Sequence, residues 1–249
     1  MKKLLPVLLG ALGMASTVTP LAAAPLSGNA AVTTNYIFRG ISQSGSDPAV
    51  QAGLDYDLGA MLPGLAVGTW ASSLDFGNTK GGSPLAPMEL DLYGSYTGSI
   101  TPELSYSLGV IGYLYPSTAA GADYNWVEMW GSATYNFGFF ALTGKFYYSP
   151  DYVAFGVTEM YYTAGISVPL GDLPVSFNAS VGHTDLESSV FPVIKDYTDW
   201  NLNLAATYEN YTLTVGYTGT SGLNGAYRVP VGLFQTTDQV YVSIGFKLP

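Results

Sequence analysis

The stretch Val50-Gln51-Ala52-Gly53-Leu54-Asp55-Tyr56-Asp57-Leu58 puts an apolar side chain at every even position and a polar one or glycine at every odd position. Successive side chains of an extended chain point to opposite faces, so this segment predicts a strand with one apolar and one polar face. The period of two returns along the chain. Met88, Leu90, Leu92, Gly94 and Tyr96 alternate with Glu89, Asp91, Tyr93 and Ser95. Leu202, Leu204, Ala206 and Tyr208 alternate with Asn201, Asn203, Ala205 and Thr207, and the pattern recurs from Tyr211 to Thr218 and from Gln239 to Leu248.

Twelve such segments are predicted, at residues 30–40, 48–58, 65–76, 88–98, 103–115, 124–135, 139–149, 158–168, 175–185, 197–208, 211–220 and 237–248. Their connections alternate long and short: ISQSGSD then GAMLPG, GNTKGGSPLAP then SITP, PSTAAGAD then NFG. The alternation continues with a stretch around Pro150 to Val157 then PLGDLP, a stretch around Leu186 to Asp196 then EN, and last SGLNGAYRVPVGLFQTT. Short turns on one rim, long loops on the other, an even strand number and strands of about ten residues are how transmembrane barrels are built. The predicted fold class is therefore all-β, an antiparallel up-and-down barrel of about twelve strands with short periplasmic turns and long extracellular loops. A soluble sandwich also has alternating strands, but its apolar faces pack inward and its outer face is solvated.

The amino terminus reads MKKLLPVLLGALGMASTVTPLAAAP, two lysines, a short apolar run and small residues. That is the layout of a cleaved secretory signal peptide over residues 1–23, which leaves 24–249 as one barrel domain in the outer membrane of a Gram-negative cell. No later run approaches the ~18 apolar residues of a helical span. Charged residues make up only 10% of the chain, against about a quarter in a soluble domain, so lipid is the natural solvent for this surface. Without Lys2 and Lys3, six basic residues face eighteen acidic ones, a net charge of −12, which disfavours nucleic-acid binding through phosphates. There is no cysteine, so an exported chain without disulfides must be held by its fold.

Aromatic positions support the membrane reading. On the apolar phase, Tyr56, Tyr96, Tyr135, Phe140, Tyr208, Tyr211 and Phe246 fall near the short-turn rim, and Tyr36, Phe38, Phe146, Tyr148, Tyr162 and Trp200 toward the long-loop rim. Two belts of this kind mark the two interfaces of a bilayer.

The polar phase supplies the pore-lining candidates Arg39, Asp55, Asp57, Asp75, Glu89, Asp91, Glu128, Lys145, Glu159, Asn201 and Asn203. With turns centred near Asn136–Phe137 and Tyr152, the constant residue sum of antiparallel partners predicts a ladder Glu128, Lys145, Glu159 across three strands. Such a ladder either filters ions at a constriction or compensates charge in the wall. Asp55, Asp57, Glu89 and Asp91 form an acidic set, and rings of acids favour cations. The inward Tyr113, Tyr115, Trp126, Trp130, Tyr147 and Tyr161 are bulky enough to fill much of a twelve-stranded lumen, so a small pore and a closed barrel acting through its loops both remain open.

Arg39, in Asn35-Tyr36-Ile37-Phe38-Arg39-Gly40-Ile41-Ser42-Gln43-Ser44, is one of two arginines in the chain. Strand parity predicts it on the lumen phase at the long-loop rim, with Tyr36 and Phe38 toward lipid. Its expected partners are Asp75, Glu89 or Asp238, either pinning the barrel seam or placing a gate charge in the mouth. Enzymatic chemistry finds no support: His183 is the single histidine, and no phosphate-binding, dinucleotide or calcium-loop motif occurs. No cofactor or metal is expected.

That decapeptide, with Asp47-Pro48, DPAVQAGLDYDL, GLAVGTWASSLDF and MELDLYGSYTG, resembles the TorF family of proteobacterial porins. Phe38 to Gln43 carry the signature, and Trp70, Asp75, Glu89 and Asp91 extend it. The resemblance implies an outer-membrane barrel over the mature chain with transport as its role. One departure is the carboxyl terminus, which ends Phe246-Lys247-Leu248-Pro249 rather than on an aromatic residue. The expected role is passive diffusion of small hydrophilic solutes or ions, with a weak cation preference. The expected partners are outer-membrane lipid, the barrel assembly machinery and those solutes, with the subunit number left open.

Overall fold

A computed structural model of the protein describes residues 25–78, 81–119, 121, 123–187, 195–223, 227–229, 232–234 and 236–248; the expected signal peptide lies outside them. Twelve antiparallel strands close into a barrel. They are β1 (Leu26–Thr33), β2 (Ala49–Asp57), β3 (Leu65–Ser73), β4 (Met88–Ser99), β5 (Leu104–Leu114), β6 (Trp126–Asn136), β7 (Ala141–Ser149), β8 (Glu159–Pro169), β9 (Val175–Leu186), β10 (Tyr197–Tyr208), β11 (Tyr211–Ser221) and β12 (Gln239–Leu248). Each pairs with its sequence neighbour, and β12 closes on β1 with Val32 opposite Ile244. All twelve expected strands are present. The first differs most: it spans Leu26–Thr33 rather than 30–40.

The alternation decides which way each side chain faces. Outward positions carry exposed aliphatics and aromatics, among them Leu54, Leu92, Leu108, Val127, Leu204 and Val215. Inward positions on the same strands are polar or aromatic, and buried: Glu89 and Asp91 on β4, Glu128 on β6, Asn201 and Asn203 on β10. The sandwich alternative is thereby excluded, because the apolar face of this sheet is its outside. An apolar exterior around a closed ladder leaves no unpaired backbone group to meet hydrocarbon.

Short turns at 58–64, 100–103, 137–140, 170–174 and 209–210 close one rim, and long connections at 34–48, 74–87, 115–125, 150–158, 187–196 and 222–238 join strands at the other. Two of the long connections contain small hairpins, Ile37–Phe38 with Ile41–Ser42 and Tyr227–Val229 with Gly232–Phe234. The long loops share an apolar core of Leu74, Phe76, Leu85, Ala86, Tyr113, Tyr115 and Trp126, which sits at the end of the barrel nearest those loops.

An arginine at an outward mid-strand position should be tolerated poorly. For Leu108→Arg, refolded in lipid vesicles and unfolded in urea, the expected loss is about 2–4 kcal/mol.

Candidate functional site

The first long loop turns into the barrel instead of standing above it. Strand β1 ends at Thr33, whose Oγ1 donates to the Asn35 carbonyl at 2.9 Å. Asn35 donates to Gln239 Oε1 on β12 (2.6 Å) and accepts from Ser42 Oγ (2.6 Å). Residues Ile37 and Phe38 then pair back on Ser42 and Ile41. The two residues between them, Arg39 (φ 47°) and Gly40 (φ 77°), both have positive φ, as the central pair of a type I′ hairpin turn requires. Glycine is needed at position 40 for a second reason. A Cβ there would lie 2.5 Å from Thr220 Cγ2 and 2.9 Å from the Gly219 carbonyl oxygen, so the hairpin tip is pressed against the inner wall of β11.

This turn delivers Arg39 to the wall opposite, at the long-loop ends of β6 and β8. Its Nη2 lies 2.5 Å from Glu128 Oε1 on β6 and its Nη1 lies 2.6 Å from Glu159 Oε1 on β8. The arginine is 2% exposed and both glutamates are 0% exposed. The guanidinium also sits 4.1 Å from the Tyr161 ring centroid, 5.1 Å from that of Tyr147 and 4.7 Å from that of Phe38, so aromatic faces add attraction where no water competes. Burial acts against the charge of Arg39, but Glu128 and Glu159 outweigh it and hold the pKa well above its ordinary value.

Hydroxyls complete the setting. Tyr113 donates to Glu128 Oε2 (2.8 Å), Tyr36 to Glu89 Oε1 (2.7 Å), Tyr161 to Asp199 Oδ1 (3.2 Å) and Tyr93 to Asp55 Oδ1 (2.6 Å). Burial first, and then the Glu89 carboxylate, push the Tyr36 hydroxyl well above its usual range, which keeps it a donor. Lower on the wall, Asn178 donates to Asn203 (2.8 Å), Asn203 to Asn201 (2.9 Å) and Asn201 to the Tyr241 hydroxyl (3.1 Å). Among the described residues no three His, Asp or Glu side chains converge as a metal site would need.

Several expected placements change. Arg39 is not on a strand, and its partners are neither Asp75, Glu89 nor Asp238. Asp75 is exposed and accepts from the Gly77 backbone N–H at 2.8 Å, Glu89 is engaged by Tyr36, and Asp238 accepts from Tyr217. Tyr36 and Phe38 do not face outward. Because the chain turns inward after Thr33, Tyr36 packs edge-on against Trp70 at 5.4 Å and Phe38 against Trp126 at 6.4 Å.

The expected ladder of Glu128, Lys145 and Glu159 is also corrected. The β6–β7 register sets Met129 opposite Tyr148, and one step further brings Glu128 to Ser149, which faces Glu159 on β8. Lys145 instead lies between Ser132 and Thr163. The turn is centred between Phe137 and Phe140 rather than at Asn136–Phe137, which shifts every pair by four residues. Asp55, Asp57, Glu89, Asp91, Lys145, Asn201 and Asn203 all fall on the inward phase, and Asp75 alone of the candidates lies outside the barrel wall and the inserted hairpin.

Two features escaped the sequence reading. Asp199, two residues before Asn201 on the same face, is buried beside Tyr161; its parity was the available signal. The Arg39–Gly40 turn was signalled by an X-Gly dipeptide between two β-favouring pairs.

A closed barrel with an apolar outside, a polar inner wall and a loop folded inside is one of the forms that transmembrane β-barrels take. A family model described as "Bacterial protein of unknown function (Gcw_chp)" matches residues 17–246, and the chain belongs to that family. No curated protein matches the sequence. Among solved structures, a KdgM porin is similar with a TM-score of 0.57 at 10% identity, covering 90% of this chain and 98% of its own. A NanC porin is similar at 0.56 and 8% identity, covering 90% and 100%. A KdgM porin in complex with disordered oligogalacturonate gives 0.54 and 9%, covering 90% and 98%. At these identities the likeness is one of fold.

Arg39→Gln leaves two buried carboxylates without their cation, and the expected cost is about 3–5 kcal/mol of stability. Adding Glu128→Gln and Glu159→Gln should recover most of it. Thermal unfolding followed by heat-modifiable gel migration measures both.

Proposed function

We propose that this chain is an outer-membrane porin, exported with a cleaved leader and placed by the barrel assembly machinery, that passes small hydrophilic solutes or ions and prefers cations weakly. The observation that carries the reading is the hairpin at 35–44 held inside a closed, apolar-jacketed barrel by Arg39, Glu128 and Glu159. A loop bound to the inner wall narrows a lumen without adding a domain. The fold likeness to the KdgM and NanC porins supports a channel role, and the resemblance to the TorF porins points the same way.

The sign of the wall supports the cation preference. Asp55, Asp57, Glu89, Asp91, Glu128, Glu159 and Asp199 lie on the inward phase, against Arg39, Lys145 and Lys247 among the described residues. With Arg39 committed to two of the acids, the remaining field is negative, and fields of this sign draw cations and repel anions. A polyanion of the oligogalacturonate kind is thus a poor fit for this interior.

One observation favours a second reading, a closed barrel acting through its loops. Arg39 and its two acids are sealed from water, and the loop core of Leu74, Phe76, Leu85 and Tyr115 packs beside them. Single-channel recording of refolded protein in a planar bilayer separates the two. The porin reading expects small discrete steps with a reversal potential toward cations, and larger steps from Gly40→Ala, whose added Cβ drives the hairpin off the wall. Silence at every voltage from folded wild type and folded Gly40→Ala would leave the closed barrel standing.

A further inference from the structure

The two rims treat their apolar side chains oppositely. Among the described residues, the long loops bury theirs, in the core that includes Leu74, Phe76 and Leu85. Short turns display theirs: Met61 is 79% exposed, Ile100 68%, Phe139 72% and Leu173 66%. These four residues come one each from the four longer short turns, between β2 and β3, β4 and β5, β6 and β7, and β8 and β9. Successive tips are two strands apart, so the four span about half of the rim; along the rest, the exposed Tyr208 and Tyr211 flank the short turn between β10 and β11, and the exposed Leu248 and Leu26 lie at the ends of β12 and β1.

They also continue the outward apolar belt. Tyr135, on the outer face of β6, meets Phe137 at 4.5 Å. Phe137 stacks on Phe140 at 4.6 Å, and Phe140 meets Phe139 at 4.8 Å. An aromatic path therefore runs without a break from the strand surface to the turn tip. The acids of the same turns are held back by their own backbone and hydroxyls. Asp57 accepts from the Gly59 N–H at 2.6 Å, and Glu103 from Thr101 Oγ1 at 3.0 Å.

We propose that this rim is a lipid-binding surface, with the four turn tips seated in the interfacial layer of the adjoining leaflet rather than standing in water. The inference rests on the membrane-barrel reading above. A planar layer touches a rim all the way round, which the four tips together with Tyr208, Tyr211, Leu248 and Leu26 match; a protein partner would need one contiguous patch. Aromatic and aliphatic tips with a polar backbone suit the headgroup–acyl boundary. Rim acids Asp57, Glu103, Asp172 and Glu209 outnumber Lys247, so the favoured leaflet is one of zwitterionic aminophospholipid, whose ammonium groups can meet carboxylates, rather than an anionic one.

The chain has no cysteine, so single nitroxide labels can be attached at Met61→Cys, Ile100→Cys, Phe139→Cys and Leu173→Cys. Leu108→Cys in the mid-belt and Glu187→Cys in a long loop serve as controls. Each variant is refolded into phosphatidylethanolamine–phosphatidylcholine vesicles and checked for heat-modifiable migration. Paramagnetic relaxation then reads collisions with oxygen, which enters lipid, and with a nickel chelate, which stays in water. The proposal expects all four tips to show fewer nickel collisions than Glu187→Cys and an oxygen-to-nickel collision ratio between those of Glu187→Cys and Leu108→Cys. Nickel collisions at the level of Glu187→Cys, with Leu108→Cys still lipid-like, would overturn it and leave the barrel reading intact. Low collisions with both reagents would also overturn it, since protein, including a second copy, would then cover the tips. If Leu108→Cys itself behaves as aqueous, the barrel reading fails and the inference falls with it.

Discussion

Hydrogen-bond closure between the first and last strands is the constraint on which the rest of the structure depends. A sheet with an apolar outer face cannot leave its edges open, because each unpaired N–H or C=O in hydrocarbon costs several kcal/mol. Pairing β1 with β12 removes both edges. It also forces every inward residue of twelve strands toward a common axis, which is why so many polar and aromatic side chains are buried in a chain with so few charges. The interior of this barrel is a consequence of its exterior: once the apolar phase must face out, Glu89, Asp91, Glu128, Glu159 and Asp199 have nowhere else to point.

That crowding of carboxylates needs a counter-charge, and among the described residues the wall itself offers Lys145 and Lys247 on its inward phase. The first loop supplies the missing cation by leaving the rim and entering the lumen. The cost is visible in the backbone. Arg39 adopts a positive φ, a conformation that disfavours a side chain by roughly 1–2 kcal/mol. Two charge-assisted contacts and three ring faces offset it. Gly40 makes the geometry possible, since a larger residue would meet both a left-handed backbone and the wall of β11. Strain concentrated at a loop tip inside a lumen is the usual mark of a functional element.

The parts of this molecule that were legible in the sequence are those governed by local periodicity. Alternation at Val50 to Leu58 and its repeats located all twelve strands and assigned their faces, because side-chain direction on a strand depends only on parity. Loop asymmetry located the rims for the same reason. What failed was anything set by distance along the chain. The β6–β7 register moved by four residues because Phe137 to Phe140 form a wider turn than the predicted one, and a four-residue shift preserves parity while changing every partner. Lys145 therefore remained an inward residue and lost both of its expected acids. Arg39 failed differently: its apolar-polar alternation continues that of β1, and nothing in period two distinguishes a strand that rises from a hairpin that folds back.

The Arg39–Gly40 dipeptide shows how a short signal can outrank a long one. Read with its neighbours, Ile37-Phe38 and Ile41-Ser42 flank a two-residue turn and make a hairpin, which alternation alone extends as a strand. The consequence is large because the hairpin relocates a charge. At the rim, an arginine facing Asp75 would be a solvated pair worth little. In the lumen, between Glu128 and Glu159, the same arginine is sealed from water and ties β6 and β8 to the loop that follows β1. Strands distant in sequence order around the barrel are thereby joined through its centre, and the loop cannot leave without exposing two buried carboxylates. Any movement of this hairpin is therefore coupled to the fate of one ion triad.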